Sequence, residues 1–382
     1  MIANSEAIEQ ARHGPWDVIV LGAGPAGAVA ARRLALAGRG VLLVEKSRWP
    51  REKACGGCLG AAALGVLDEV GLARLPAECG GVRLSAMELA CRGSKAVFPI
   101  DRRVAVARQR FDAALVSAAT DAGAVFIDQA LGRVLTPAQR AYRAVQIHRG
   151  GDAWVARARA VIVATGLGGR ETGAAIRSGS RIGLGAIVPH ASPAGERIQM
   201  ALGRAGYAGV APLGGGLLDV AAAVDRRALA AAGSPAALVG SIFAEAGVAL
   251  PPGLDDAQWR GTPPLTQHAV QLASHRTLLV GDAAGYVEPF TGEGIGWAMH
   301  TALVASAIVD ANLQRWSTAC ERLYELQYRH ALGRRQRCCY GITRLLRHRL
   351  VRTATVGALR RLPALARPLV SQLERPLARS RQ

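Results

Sequence analysis

Asp17 is followed by an unbroken apolar run, Val18 to Leu21, too short for a helix and rich in β-branched residues, which predicts a strand buried on both faces. Gly22-Ala23-Gly24-Pro25-Ala26-Gly27 then opens an alanine-rich segment that reads as a helix through Leu36, with proline at its first position. Gly40 to Val44 repeats the strand pattern and ends in Glu45. A different pattern begins later. Arg181 to Val188 and Leu217 to Val224 are strand-like runs, and an alanine-rich helix follows Asp225. Leu278-Leu279-Val280 is another short buried run; it leads into Gly281-Asp282 and a glycine-rich stretch, with a helix starting near Gly294. The class these elements predict is α/β.

Strand, glycines, helix, strand and terminal acid in that order form a dinucleotide-binding unit. Gly22 permits the tight turn, Gly24 lets the backbone approach a pyrophosphate, and Gly27 allows close helix packing. Glu45 lies about twenty residues beyond the glycines, the spacing at which an acid meets a ribose hydroxyl. In the segment Gly281 to Gly296, Asp282 offers an acceptor for a ribityl or ribose hydroxyl. The glycines there admit backbone N–H groups, and the helix start suits pyrophosphate or the electron-rich edge of a reduced flavin. Two such turns far apart in one chain point to FAD. No second strand-glycine-helix fingerprint follows, so NAD(P)H is expected to dock transiently as the electron donor, unless electrons come from another protein.

The sequence resembles flavoproteins of the geranylgeranyl reductase type, within the group sharing the p-hydroxybenzoate hydroxylase fold. The resemblance spans roughly residues 15 to 330. It rests on the glycine motif, Glu45-Lys46, Pro50 to Gly57, Val106 to Asp112, Val163-Ala164-Thr165-Gly166 and Gly281 to Gly296. It implies a cofactor site of Gly22, Gly24, Pro25, Ala26, Gly27, Glu45, Lys46, Cys55, Gly56, Arg108, Thr165, Gly166, Gly281, Asp282, Pro289, Gly292, Gly294 and Ile295. Arg108 would meet the phosphate region, Thr165 and Gly166 would close the nucleotide pocket, and Gly292, Gly294 and Ile295 would face the isoalloxazine. The expected fold is a discontinuous Rossmann-type FAD-binding domain (15–80, 100–170 and 270–320) with a β-sheet substrate domain (81–99 and 171–269). A basic helical C-terminal region (321–382) follows.

Cys55 and Tyr207 are expected to line the substrate pocket. Cys55-Gly56-Gly57-Cys58 admits three readings: a zinc half-site without a partner pair, a dithiol exchanging electrons with flavin, or a flavin-facing loop in which Cys58 simply packs. No metal site is expected. After Tyr207, Gly209 and Ala211 stand where reductase relatives carry Trp and Phe. With 4% aromatic residues, the chain offers its substrate surfaces of Ala, Leu and Val, which suit a long apolar molecule.

The net charge of +19 is concentrated: positions 329 to 382 hold fourteen arginines against the single acid Glu374. Ile342, Leu345, Leu346 and Leu350 recur there at helical spacing among arginines. Two readings stand, a peripheral contact with anionic lipid and a pair of helices packed on the flavin domain with a solvated arginine face. No recognition motif accompanies the charge, which argues against nucleic acid. Residues Met1 to His13 lack an apolar signal-like core and no apolar run is long enough to span a bilayer, so the expected location is cytoplasmic, with or without that peripheral contact at the inner membrane surface. The expected activity is FAD-dependent reduction of a carbon–carbon double bond in a lipid-like substrate. The alternatives are hydroxylation of a phenolic or polyketide substrate by an FAD monooxygenase, and a flavin-binding, membrane-associated protein without catalysis.

Overall fold

The computed structural model describes residues 5–136, 141–169, 173–190, 195–288, 290, 292–374 and 377, as two large sheets with helices and a helical C-terminal region. The βαβ unit is strand Trp16–Leu21, helix Pro25–Leu36 and strand Val41–Val44, with Val18 to Leu21 in parallel register with Val41 to Val44. All four residues of the second strand are buried, which is why its run is apolar without alternation. Strand Asp152–Val163 lies parallel on the other side of Trp16–Leu21, and Thr277–Leu279 lies parallel beyond it. The segments after Leu21, Val163 and Leu279 therefore leave the same end of one sheet, the end at which parallel sheets bind ligands.

The second sheet is mostly antiparallel. Its strand order is Arg260–Pro264, Ile182–Pro189, Leu217–Val224, Gly206–Leu213, Arg197–Leu202, Val82–Cys91, Ser94–Ala105 and Cys58–Leu59. Strand Ser94–Ala105 carries this sheet beyond residue 99, the expected edge of that segment of the substrate domain. It pairs with Val82–Cys91 as far as Ala105 and holds Cys58–Leu59 at its edge, because the hairpin's hydrogen bonds continue where the apolar pattern changes. Helix Arg226–Ala232 follows Asp225 as expected. Helix Pro235–Ala246 covers one face of the sheet, where Leu238, Val239, Ile242 and Phe243 share a core with Val220 and Val224.

The C-terminal region comprises helices Thr318–Leu345, Arg349–Arg361 and Arg367–Glu374. Tyr324, Tyr328, Leu332 and Cys339 of the first join the core of the cofactor domain. Val356 and Ala366 instead join Phe98, Ile100, Tyr207 and Phe290 in a core of the second sheet. Several tail arginines meet acids from elsewhere: Arg335 lies 3.5 Å from Glu293, Arg347 3.5 Å from Glu288, and Arg352, itself buried, 3.1 Å from Glu245. The tail thus packs on both domains. Among the described residues, helix Gly294–Asn312 is long and apolar enough to cross a membrane, yet 72% of it is buried inside the protein.

Candidate active site

A single cavity runs between the two sheets, with an empty volume of about 1430 Å³, its open mouth included. At one end it is bounded by Gly24, Pro25 and Ala26 of the first glycine turn, by Ala164 and Gly166, and by Gly281 and Asp282. The turn is built as the glycines require. Gly22 has φ +100, and a Cβ on it would strike the carbonyl oxygen of Ala164; a Cβ on Gly27 would strike the carbonyl oxygen of Gly22. Helix Pro25–Leu36 begins without a side-chain cap, so its first N–H groups point unpaired toward the cavity end.

Behind the turn lies a web of paired charge. Glu45 accepts hydrogen bonds from the backbone N–H of Ala23 (2.9 Å) and of Ser47 (3.0 Å), which locks the turn to the end of the second strand. Arg51 bridges Glu45 (3.7 Å) and Asp112 (3.4 Å), and Arg108 grips Asp112 with two hydrogen bonds of 2.9 and 2.8 Å. Burial opposes the charge on Arg108, but Asp112 and then Cys55 more than restore it, holding Arg108 firmly cationic. Lys53 is buried in the same cavity. Burial lowers its pKa, Asp282 raises it, and Arg108 and Arg51 lower it further. Asp282 is pushed up by burial, against the pull of Lys53 and Arg108.

These residues fit a dinucleotide. Two uncapped helix starts and two buried cations face a space cleared by glycines, and the hydroxyl oxygen of Thr165 is buried with no hydrogen-bond partner among the described residues. At the second helix start, Glu293 accepts from the Trp297 indole N–H (3.2 Å) and lies 3.5 Å from Arg335, so it is committed to its own surroundings.

The opposite wall is the second sheet. Side chains two apart share a face of a strand, so strand register sets Ala223 beside Tyr207, Ala221 beside Gly209 and Asp219 beside Ala211. Gly209 in turn faces Met200, whose sulfur lies 2.5 Å from where a Cβ on Gly209 would sit. Met200 therefore fills part of the space that a side chain larger than glycine at 209 would need. Met87, Leu184, Ile198 and Phe290 complete a mostly apolar lining. Tyr207 stacks edge-on against Phe290 with ring centroids 5.1 Å apart, and its hydroxyl has no partner among the described residues.

The cavity brings together Gly24, Pro25, Ala26, Cys55, Gly56, Arg108, Gly166, Gly281, Asp282, Gly292, Gly294, Ile295 and Tyr207 from the expected set. Gly22, Gly27, Glu45 and Thr165 stand behind this lining and support it. Lys46 is exposed and does not line the cavity; the lysine inside it is Lys53. Pro289 lies outside the described residues. Cys58 donates its thiol hydrogen to the carbonyl of Gly56 (3.1 Å), and its pKa is pushed up to about 12, chiefly by burial, so it sits as a neutral packed thiol. Among the described residues no cluster of ligands could hold a metal ion. Lys53 enters the cavity from the loop that the sequence set near the flavin, whereas sequence reasoning assigned no role to Arg103, Asp219, Met200 or Tyr286, all of which also line it. Asp219 alone carried a signal, as the one acid in the apolar run Leu217 to Val224.

Residues 15–170 match the model of an FAD binding domain family. A menaquinone reductase of Mycolicibacterium smegmatis is 30% identical over 353 residues, covering 82% of this chain and 81% of that protein. A digeranylgeranylglycerophospholipid reductase of Methanothrix thermoacetophila is 27% identical over 336 residues, covering 83% of this chain and 84% of that one. Among solved structures, a geranylgeranyl bacteriochlorophyll reductase-like protein of Thermoplasma acidophilum superposes with a TM-score of 0.75 at 20% identity, covering 94% of this chain and 98% of that one.

Proposed function

The chain belongs to the geranylgeranyl reductase-type FAD-dependent oxidoreductases, and we propose that it saturates a carbon–carbon double bond in a lipid-like substrate carrying a long isoprenoid or similar apolar chain. The observation that carries this reading is the continuity of the cavity, from the paired-charge end to a wall of Gly209, Ala211, Ala221 and Ala223. Small side chains on that wall leave room for a chain rather than stacking on a flat ring. In this reading Lys53, Arg108, Asp282 and the two helix starts hold the FAD diphosphate and ribityl region, and Gly292, Gly294 and Ile295 face its ring. Bound FAD supplies the hydride chemistry, and the protein supplies binding, orientation and exclusion of water. Cys55 and Tyr207 stand at the junction between ring and substrate. NAD(P)H is the proposed donor, visiting from solvent.

The substrates named for the relatives, a menaquinone and a digeranylgeranylglycerophospholipid, support the same substrate class. Peripheral membrane contact follows from it: Leu350 is 82% exposed, and Leu345, Leu362 and Leu365 are exposed near Arg344, Arg349, Arg360 and Arg361. Such a face is complementary to anionic lipid. The deciding experiment supplies FAD-loaded protein and NAD(P)H with a polyprenyl quinone in anionic vesicles, and weighs the product. Gain of two hydrogens supports the reading; gain of one oxygen replaces it with hydroxylation, and an unchanged quinone with turnover on phenols would also overturn it.

A further inference from the structure

Asp219 is the carboxyl of the apolar wall, placed where the reduction proposed above needs a proton. It sits in the middle of strand Leu217–Val224, bonded on both sides to neighbouring strands opposite Ile187 and Ala211, so its backbone is satisfied and its side chain lines the cavity. It is 6% exposed. One carboxyl oxygen lies 3.0 Å from where a Cβ on Gly57 would stand, which sets it against the turn between Cys55 and Cys58. Among the described residues no hydrogen bond reaches it. The nearest cation, Arg108, has turned its guanidinium to Asp112, and the Cys58 thiol donates to Gly56.

An unpartnered buried carboxylate is costly, so such a group keeps its proton. Burial pushes Asp219 up to about 8, with Arg108 as the opposing pull. The other titratable or charged groups around this part of the cavity are Arg103, Cys55, Cys58, Tyr207 and Tyr286. Glu293 is occupied by Trp297 and Arg335, and Asp282 lies at the far, cationic end beside Lys53.

We propose that Asp219 is the acid that delivers the proton to the substrate double bond, from its place at the junction between the flavin-facing loop and the apolar wall. This rests on the double-bond reduction proposed above. Saturation needs two hydrogens. One arrives with its electron pair from reduced flavin, itself replenished by NAD(P)H. The other is a proton: the O–H bond of Asp219 breaks, a C–H bond forms at the carbon that has gained electron density, and the resulting carboxylate takes a proton back from water.

The test compares wild type, Asp219→Asn and Asp219→Glu as FAD-loaded proteins. In the infrared, wild type shows the C=O stretch of a protonated carboxylic acid at neutral pH. That band disappears near pH 8 and is missing from Asp219→Asn. With a polyprenyl quinone, Asp219→Asn retains flavin and KM but loses about a hundredfold or more in kcat, the usual worth of a positioned acid, and Asp219→Glu restores part of it. The kcat of wild type falls above pH 8 and that of Asp219→Asn does not. Absence of the infrared band, or turnover of Asp219→Asn within about threefold of wild type, overturns the proposal. If wild type itself saturates no double bond, the substrate reading falls, and the infrared band still reports separately on Asp219.

Discussion

At the glycine-turn end of the cavity, charge is abundant and mutually satisfied: Glu45, Arg51, Arg108 and Asp112 form one connected set around the opening of helix Pro25–Leu36. At the second-sheet end, the wall is glycine, alanine, methionine and leucine, with one carboxyl that has no hydrogen-bond partner among the described residues. The first end works by presence, since every polar group must stand where a phosphate or hydroxyl will meet it. The second works by vacancy, since what admits an apolar chain is side chain that is not there. Polar errors at the first end should therefore cost flavin binding, Asp219 should be the one polar position that matters at the second, and steric errors should separate flavin binding from lipid turnover.

The largest effect expected on flavin binding is from Gly27→Ala. Its Cβ meets backbone rather than a movable side chain, so the helix must shift away from the turn, and FAD affinity should fall about 10- to 100-fold. The ratio of flavin to protein absorbance after gel filtration checks this. Next is Gly209→Trp, which must displace Met200 and fill the wall. Flavin retention should stay within about twofold while turnover of a long-chain substrate falls about tenfold; loss of flavin instead would merge the two ends into one site.

A smaller effect separates paired from unpaired carboxyls. The carboxyl of Asp219 has a pKa of about 8 in the folded protein, well above its unfolded value near 4, so the folded state binds the extra proton between these limits. Stability of the apoprotein should then decline as pH rises from about 4 to 8, by at most about 1.4 kcal/mol per unit, and Asp219→Asn should remove that slope. Denaturant melts at three pH values suffice to show it. The smallest effect is that of Tyr207→Phe. Its hydroxyl is buried without a protein partner, so stability should change by less than about 0.5 kcal/mol. A rise in KM with unchanged stability would show that the hydroxyl reserves its hydrogen bond for substrate.

The two ends also differed in how openly the sequence stated them. The cofactor end lies in contiguous stretches, Asp17 to Glu45 and Gly281 to Gly296, whose spacing follows from the geometry of one turn. The apolar wall draws Met87, Met200, Gly209 and Ala221 from four strands, and only the register of those strands makes them neighbours. No local pattern encodes that meeting. The resemblance assigns Lys46 to the cofactor, yet that side chain is exposed, and the lysine inside the cavity is Lys53, from the loop beyond. The arginine-rich tail was visible as charge, but the acids that hold it, Glu245, Glu288 and Glu293, belong to segments far upstream.

Val356 and Ala366 share their core with Tyr207 and Phe290, and this fixes an order of events during synthesis. A ribosome that has released the chain only as far as Leu345 has already supplied both glycine turns, every strand of the two large sheets and the helix whose Tyr324, Tyr328 and Leu332 complete the cofactor-domain core. The lipid end at that moment still lacks its backing. The nascent protein can thus recruit its cofactor before it can shelter a substrate, and truncation near residue 350 should leave a flavoprotein with an open, leaky chamber.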